Sequence, residues 1–530
     1  MYNKINRIIY PAAYVIGISV SLLHIFLCFD IYSDIAYAYL PMVRGFVAGN
    51  WRAAFSGLPV LVPAMAGIIA KTGLNEFTCI VVVSCIFYIA TIPVMYRFVK
   101  YFFPEGDYAA WGAFLYAIAP KIIRFGCTGL LNSSRNFFLI LAVYLIFSYK
   151  RKARISKLIY LGLSLAGLAL ARGEGSLAIP VIFLGAAVLI LADESFKLNS
   201  NSIKKTLTVW GISGFVLLAA VAPRLIQTYH DFGVPFLDAR QASFVEKVTA
   251  FKLNDSWDNI NTPKPFPRII YKHYIPAHKE KTPLISIDRI SKFLGCLTRG
   301  AYEIYLVLAA LGLFFWIYRR KGYLYEFCVI AAVTIMYCAT YYCIVSAYRY
   351  FTFVLLMIMP LTLQGCKEIL SLLARIIKEK YLKPILAVGL IIITAAQIKN
   401  GLEKIIEHKY DFERKSGEWL WNYAEKSGPM PKLRLDKPVL YTQSAPVGYW
   451  SALYFEPFQM PADKKSAEAL KKQLIENVDF IVLEAGDLKA NDLIQSTRAF
   501  RKLDNPFKQD ISIYVSIHSN LNPVKRNSGN

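Results

Sequence analysis

The sequence predicts a polytopic α-helical membrane protein with a small α/β domain at its C-terminal end, and three observations predict it. Of 530 residues, 56% are hydrophobic and 18% charged, with a mean hydropathy of +0.40, values outside the soluble globular range. Apolar windows long enough to cross a bilayer recur as far as about residue 399 and then stop. Beyond them, helix-like and strand-like periodicities alternate. A soluble enzyme is thereby excluded. The net charge of +24 does not indicate nucleic acid, because a nucleic-acid binder carries its cations on a solvated face without long apolar runs. The basic excess follows instead from cytoplasmic loops that face anionic membrane lipids.

Windows of roughly 17–25 residues place helices near 8–29, 76–98, 107–123, 136–149, 157–171, 175–192, 207–226, 301–318, 324–345, 350–366 and 383–399, about eleven in all. The first follows the basic opening Met1 to Arg7 and lacks a small-x-small cleavage site, so it reads as a retained span and not as a signal peptide. The stretch 58–71 is apolar but short and contains Pro59 and Pro63, which favours an interfacial helix. Were it to cross, the topology after it would invert. Charge decides the matter. With the N-terminus cytoplasmic, Arg97 and Lys100, the run Lys150 to Lys157, Lys197 to Lys205, Arg319 to Lys321, and Lys367 to Lys383 all fall on one side. An odd number of spans then places outside the membrane a first loop of about 30–75, a large loop of about 227–300, and residues 400–530. The expected domains are therefore 1–399 in the membrane and 400–530 outside it. In a bacterium this is the inner membrane with the C-terminal domain extracytoplasmic.

The tail reads as α/β because helical periodicity around Ser416–Lys426 and Ser466–Glu476 alternates with strand-like runs Pro438–Thr442, Asp479–Leu483 and Ile511–Ile517. It offers no GxGxxG, no Walker-type loop and no Ser/His/Asp arrangement, so nucleotide binding is not supported. The nine cysteines form no CxxC pair and no zinc-type spacing, which leaves neither a disulfide framework nor a metal cluster to be read.

The first outer loop carries the chemistry. Asp30 and Asp34 lie four residues apart directly after the first span, so on a continuing helix they share one face at the membrane surface. A carboxylate there is placed to take a proton from an acceptor hydroxyl. The plainer alternative, commoner for Asp at a helix boundary, is that it ends the span or caps the next helix.

The spacing Asp34, Tyr37-Ala38, Met42, Gly49, Trp51 resembles the first-loop pattern Asp-Glu-x-x-Tyr-Ala followed by Gly-Asp-Trp in membrane glycosyltransferases of the GT-C class, in the group of protein O-mannosyltransferases and lipid A aminoarabinose transferases. Leu58-Pro59 and Thr72 to Phe77 resemble that group's Pro-Pro-Leu segment and its Phe-Gly-x-x-Glu-Phe helix start. Ala169 to Gly175 resembles its Leu-x-Arg-x-Glu-Gly turn, Pro223 to Pro235 its Pro…Asn-Tyr…Phe-Gly-x-Pro segment, and Tyr348-Arg349-Tyr350 through Pro360 its late Arg-Tyr helix. The resemblance runs in order over most of residues 1–365. Ile35 stands where the family often has a second acidic residue, and Asn132-Ser133 occupies the region where many members carry an Asp. The resemblance implies a GT-C-like fold and a sugar donor carried on a polyprenyl phosphate. It further implies a lipid, glycan or protein acceptor at the outer membrane face, and inversion at the sugar carbon. It requires no cofactor and leaves room for a divalent cation.

A lipid-borne donor phosphate sits at the interface and calls for cations there, although outer loops are otherwise poor in them. Lys121, Arg124, Arg135, Arg172, Arg224 and Arg349 are such exceptions. A guanidinium binds a leaving phosphate by paired hydrogen bonds and stabilises its developing charge. The alternative for each is snorkelling to head groups or pairing with a carboxylate, as Arg172 could with Glu174. Arg172 and Arg349 stand at family motif positions. Asp34 is then the expected base, with Asp30 beside it and Tyr37 and Tyr350 in support. A retaining mechanism would need two carboxylates about 5 Å apart, and a phosphate leaving group needs no acid, so a single base is expected. Tyr32, Tyr37, Tyr39 and Trp51 either stack on a sugar or anchor the interface. Two other functions compete. A transporter or flippase of lipid-linked sugars would hold ionisable residues deep in its spans, where this sequence keeps them near the ends. A non-catalytic scaffold would tolerate Asp34→Asn.

Overall fold

A computed structural model describes residues 2–27, 39–49, 59–104, 108–193, 199–232, 287–318, 322–344, 347–376, 379–402, 411–426, 439–443, 454–457, 478–506 and 511–516, with a few isolated positions between them. The helices, in chain order, are α1 (Tyr2–Leu27), α2 (Leu40–Val47), α3 (Leu61–Ala70), α4 (Glu76–Phe102), α5 (Ala109–Ile118), α6 (Pro120–Gly126), α7 (Asn132–Arg151), α8 (Ile155–Ala171), α9 (Gly175–Asp193), α10 (Ser200–Phe232), α11 (Ile287–Ala301), α12 (Glu303–Tyr318), α13 (Leu324–Ile344), α14 (Thr352–Ile376), α15 (Glu379–Gly401), α16 (Asp411–Lys426) and α17 (Leu488–Ser496). A 3-10 turn, Tyr348–Phe351, precedes α14. The described residues of Met1–Cys28, Phe55–Asn259 and Lys281–Ile406 form one compact unit, and those of Phe29–Ala54 and Glu407–Asn530 a second.

Each of the eleven apolar windows falls on one or two helices of the first unit, which is a polytopic α-helical membrane fold. Among the described residues six helices are long and apolar enough to cross a bilayer alone, and α11 with α12 make a seventh candidate bent by 85°. Three boundaries differ from expectation. The window 107–123 is two helices, because the residue before a proline is pushed out of helical geometry and proline favours the first helical position. Ala119 is extended (ψ 117°) and Pro120 opens α6. Helix α7 begins at Asn132 with a polar first turn, four residues before the apolar pattern starts. Helix also takes both edges of the stretch read as a polar loop, since α10 runs to Phe232 and α11 begins at Ile287. In α11 the apolar residues Ile290, Phe293, Leu294 and Leu297 recur on one side of a largely polar segment, a period that the surrounding charges hide. Residues 238–286 lie outside the described residues.

Within lipid, helices associate by packing, and residues without a Cβ let backbones approach closely. Helices α12 and α14 use this twice. A Cβ on Gly312 would lie 1.9 Å from the Leu361 carbonyl oxygen, and one on Gly365 would lie 2.0 Å from that of Leu308. Where α4 and α12 end and α13 begins, Phe102, Trp316 and Phe327 cluster with ring centroids 4.7–5.9 Å apart. There the buried Glu326 takes a 2.9 Å ion pair from Lys150 and a 2.8 Å hydrogen bond from Tyr101 Oη.

In the second unit, β1 (Val439–Thr442), β2 (Tyr454–Pro457), β3 (Phe480–Glu484), β4 (Phe500–Leu503) and β5 (Ile511–Ser516) form a mixed sheet in the order β2-β1-β3-β5-β4. Strand β1 runs parallel to β2 and β3, and β5 runs antiparallel to β3 and β4. Its core includes Leu474, Ile481, Leu483, Ile494 and Tyr514. The three strands read from the sequence are β1, β3 and β5. The two that were not, β2 and β4, are the edge strands of the sheet.

Candidate functional site

Helix α8 ends at Ala171, and Arg172 is extended (φ −156°, ψ 139°) with its N–H still donating to Leu168 O. The turn closes when Gly175 N–H donates to Arg172 O at 2.9 Å and α9 begins. A Cβ on Gly175 would lie 2.2 Å from the Leu168 carbonyl oxygen, so the close return needs glycine. This turn points Arg172 and Glu174 into the bundle. Both are buried, and Arg172 Nε lies 2.6 Å from Glu174 Oε1. Arg172 Nη1 donates to Asn132 Oδ1 at 2.8 Å, and the guanidinium carbon stands 4.8 Å from the centre of the Tyr350 ring.

Four further elements meet there. The first turn of α7 brings Asn132, Arg135 and Asn136, the last part of α13 brings Tyr341, the 3-10 turn brings Arg349 and Tyr350, and α14 opens with Thr352. Tyr341 Oη donates to Glu174 Oε1 at 2.8 Å, and its ring stacks on Tyr350 at 5.1 Å with 13° between planes. Arg349 donates from Nη2 to Tyr350 Oη at 3.1 Å, and its guanidinium carbon lies 5.0 Å from the same ring. Asn132 Nδ2 donates to Arg349 O at 3.3 Å. Arg135, with no exposed surface, donates from Nε and Nη2 to Asn136 Oδ1, from Nη1 to Tyr341 Oη and Tyr350 O, and from Nη2 to Thr352 Oγ1. The result is a continuous polar network at one end of the helical unit, with three arginines around one stacked tyrosine pair.

Of the residues named from the sequence, Arg135, Arg172, Glu174, Arg349 and Tyr350 are brought together. Lys121 and Arg124 stand on α6, where Lys121 Nζ lies 4.4 Å over the Tyr302 ring and 5.6 Å from that of Tyr348, next in sequence to Arg349. Lys121 N–H donates to Tyr302 Oη at 2.7 Å. Arg124 lies against Phe125, 5.9 Å from its ring centre. Arg224 is buried on α10 and donates to Gln227 Oε1 of its own helix at 3.2 Å. Asp30, Asp34 and Tyr37 lie outside the described residues, as does Trp51. Among the described residues no three His, Cys, Asp or Glu side chains converge on a common metal position. Sequence reasoning missed Tyr341, Asn136 and Thr352. Tyr341 sits in an apolar window where an aromatic reads as lipid- or core-facing. The signal that could have found this network is the polar tetrad Asn132 to Arg135 at the edge of an apolar span.

No family model matches the sequence, and no curated protein does. Solved structures are similar in fold. ArnT from Cupriavidus metallidurans bound to undecaprenyl phosphate shares 12% identity with a TM-score of 0.60, over 96% of this chain and 98% of that one. Its apo structure gives 10% and 0.61 over the same shares. The oligosaccharyltransferase AglB from Archaeoglobus fulgidus, in complex with an inhibitory peptide and a dolichol-phosphate, gives 13% and 0.52 over 97% of this chain and 74% of that one. The chain therefore has the GT-C fold.

Proposed function

We propose that the protein is a membrane glycosyltransferase that moves a sugar from a polyprenyl-phosphate donor to a lipid, glycan or protein acceptor at the outer face of the membrane. The observation that carries the reading is the Arg172 guanidinium. Glu174 Oε1 stands 2.6 Å from its Nε, Asn132 Oδ1 accepts from its Nη1, and Arg349 lies against the same Tyr350 ring. Guanidinium groups in this arrangement suit a phosphate that arrives at the membrane interface on a lipid tail. The likeness in fold to ArnT with undecaprenyl phosphate bound supports the same donor class.

The chemistry needs positioning and charge stabilisation. Asp34 takes the proton of the acceptor hydroxyl or amine as the acceptor atom bonds to the anomeric carbon. The bond from that carbon to the phosphate oxygen breaks on the opposite face, its electron pair stays on the phosphate, and the configuration inverts. Arg172, with Arg349, Lys121, Arg124 and Arg224 as further candidates, neutralises the departing phosphate. No step is assigned to a metal ion. The basic loops lie in the cytoplasm beside anionic lipids, and residues 400–530 lie outside.

Mass spectrometry of lipid-linked and surface glycans, from cells with the protein, without it, and with Asp34→Asn, tests the reading. A sugar modification that disappears without the protein, with the polyprenyl-phosphate sugar accumulating, is expected. Identical glycans in all three strains would refute it.

A further inference from the structure

We infer that Arg135 and Tyr341 are positioning residues that set the orientation of Arg172 toward the donor phosphate. This rests on the reading of Arg172 as a phosphate ligand. An arginine cannot shed its proton in a protein interior, so burying Arg135 completely commits a full charge to the site. All five of its hydrogen bonds, 2.8–3.2 Å long, go to neutral acceptors. Among the described residues no carboxylate lies within ion-pair distance of it. The nearest in the network is Glu174, reached in one step through the Tyr341 hydroxyl.

That step has a fixed direction. A guanidinium has no acceptor atom, so the Tyr341 oxygen must receive the bond from Arg135 Nη1 at 2.8 Å, and its single proton is left for Glu174 Oε1 at 2.8 Å. The same carboxylate oxygen lies 2.6 Å from Arg172 Nε. Two guanidinium groups thus share one oxygen, Arg172 directly and Arg135 through a hydroxyl, and the orientation of the carboxylate is determined from both sides.

Arg135 has a second hold on Arg172. Its Nη1 also donates to Tyr350 O at 2.9 Å, which fixes the backbone of the residue whose ring lies under Arg172. Tyr341, stacked on that ring, closes the loop. Arg135 therefore governs both the carboxylate that aligns the Arg172 fork and the surface on which the fork lies, without itself reaching the ligand. A position that served packing alone would be filled at lower cost by an apolar side chain.

The test is a double-mutant cycle on the full-length protein in detergent, with undecaprenyl phosphate as the probe, affinity read by native mass spectrometry, and thermal unfolding measured alongside. Tyr341→Phe removes one oxygen and keeps the stack. It is expected to weaken binding about tenfold, the scale of a hydrogen bond to a charged group, as is Arg172→Lys. The double variant should bind no more weakly than Arg172→Lys alone, because Tyr341 acts through Arg172. Effects that multiply in the double variant would overturn the inference. So would Tyr341→Phe that binds like wild type while Arg172→Lys does not, or one that alters only the unfolding temperature. Should Tyr341→Phe fail to fold, Arg135→Lys, which keeps the charge but cannot make the fork, enters the same cycle. Wild-type protein that does not bind undecaprenyl phosphate would instead overturn the donor reading, and the inference with it.

Discussion

Glu174→Gln keeps the volume of the side chain and an oxygen that can accept from Tyr341, and removes only the charge. Arg172 Nε stands 2.6 Å from that oxygen, with both side chains 7% exposed, so the partner is left as an uncompensated buried cation. Breaking a buried pair from one side costs about 3–5 kcal/mol. Arg172→Met, which keeps the stem, should fall in the same range from the other side. The order of the two is the sharper expectation. Glu174 serves Arg172 directly and Arg135 through Tyr341, so its neutralisation should destabilise more than loss of Arg172. The double variant should be less destabilised than the sum, with a coupling of about 3 kcal/mol, since each single change leaves a charge that the double does not. Equilibrium unfolding of the detergent-solubilised protein, at low and high salt, measures all four species, and burial predicts little salt dependence. Additive effects, single variants within about 0.5 kcal/mol of wild type, or Arg172→Met as the worse of the two would refute the reasoning.

A reporter fused after Asn400 should be active only outside the membrane and one fused after Lys152 only in the cytoplasm; the reverse pattern would invert the topology. Gly312→Ala and Gly365→Ala each drive a methyl onto a carbonyl about 2 Å away. Each should lower the unfolding temperature by the equivalent of roughly 1–3 kcal/mol, and unchanged melting of either would show that α12 and α14 pack otherwise. In the second unit Asp487 caps α17, accepting from Ala490 N–H at 3.0 Å and Gln443 Nε2 at 2.7 Å, and those bonds hold its carboxyl below the usual value. A lowered folded-state pKa gives a contribution that is complete above the unfolded value, roughly pH 4, and fades as pH falls through the folded one. Asp487→Ala should therefore speed amide exchange in α17 at neutral pH, by the roughly 0.5–2 kcal/mol of a lost cap, and change it little once the carboxyl is protonated; equal effects at both pH values would count against the cap.

The helical fold was legible because a span declares itself by length and composition, and every apolar window corresponds to a helix. The ends of the helices were less legible, for a physical reason that also hides the candidate site. A hydropathy window locates what faces lipid or packs against apolar neighbours. The site is built from first and last turns, where the chain must satisfy backbone groups and where polar side chains can be buried against one another at the end of a bundle. Asn132, Arg135 and Asn136 look like the polar edge of a loop until α7 carries them inward. Arg172 and Glu174 were visible because the turn Ala169 to Gly175 resembles a family motif, and two residues apart they can also pair locally. Tyr341 and Thr352 were not, since their partners lie 167–217 residues away in the chain. Their side chains also suit an apolar helix equally well. The same contrast explains why Arg135 was read as one of several cations for the donor phosphate and not as a residue that acts through another. Its charge is readable in the sequence, whereas its role depends on which carboxylate shares the Tyr341 hydroxyl, and that is decided only when α7, α9 and α13 converge.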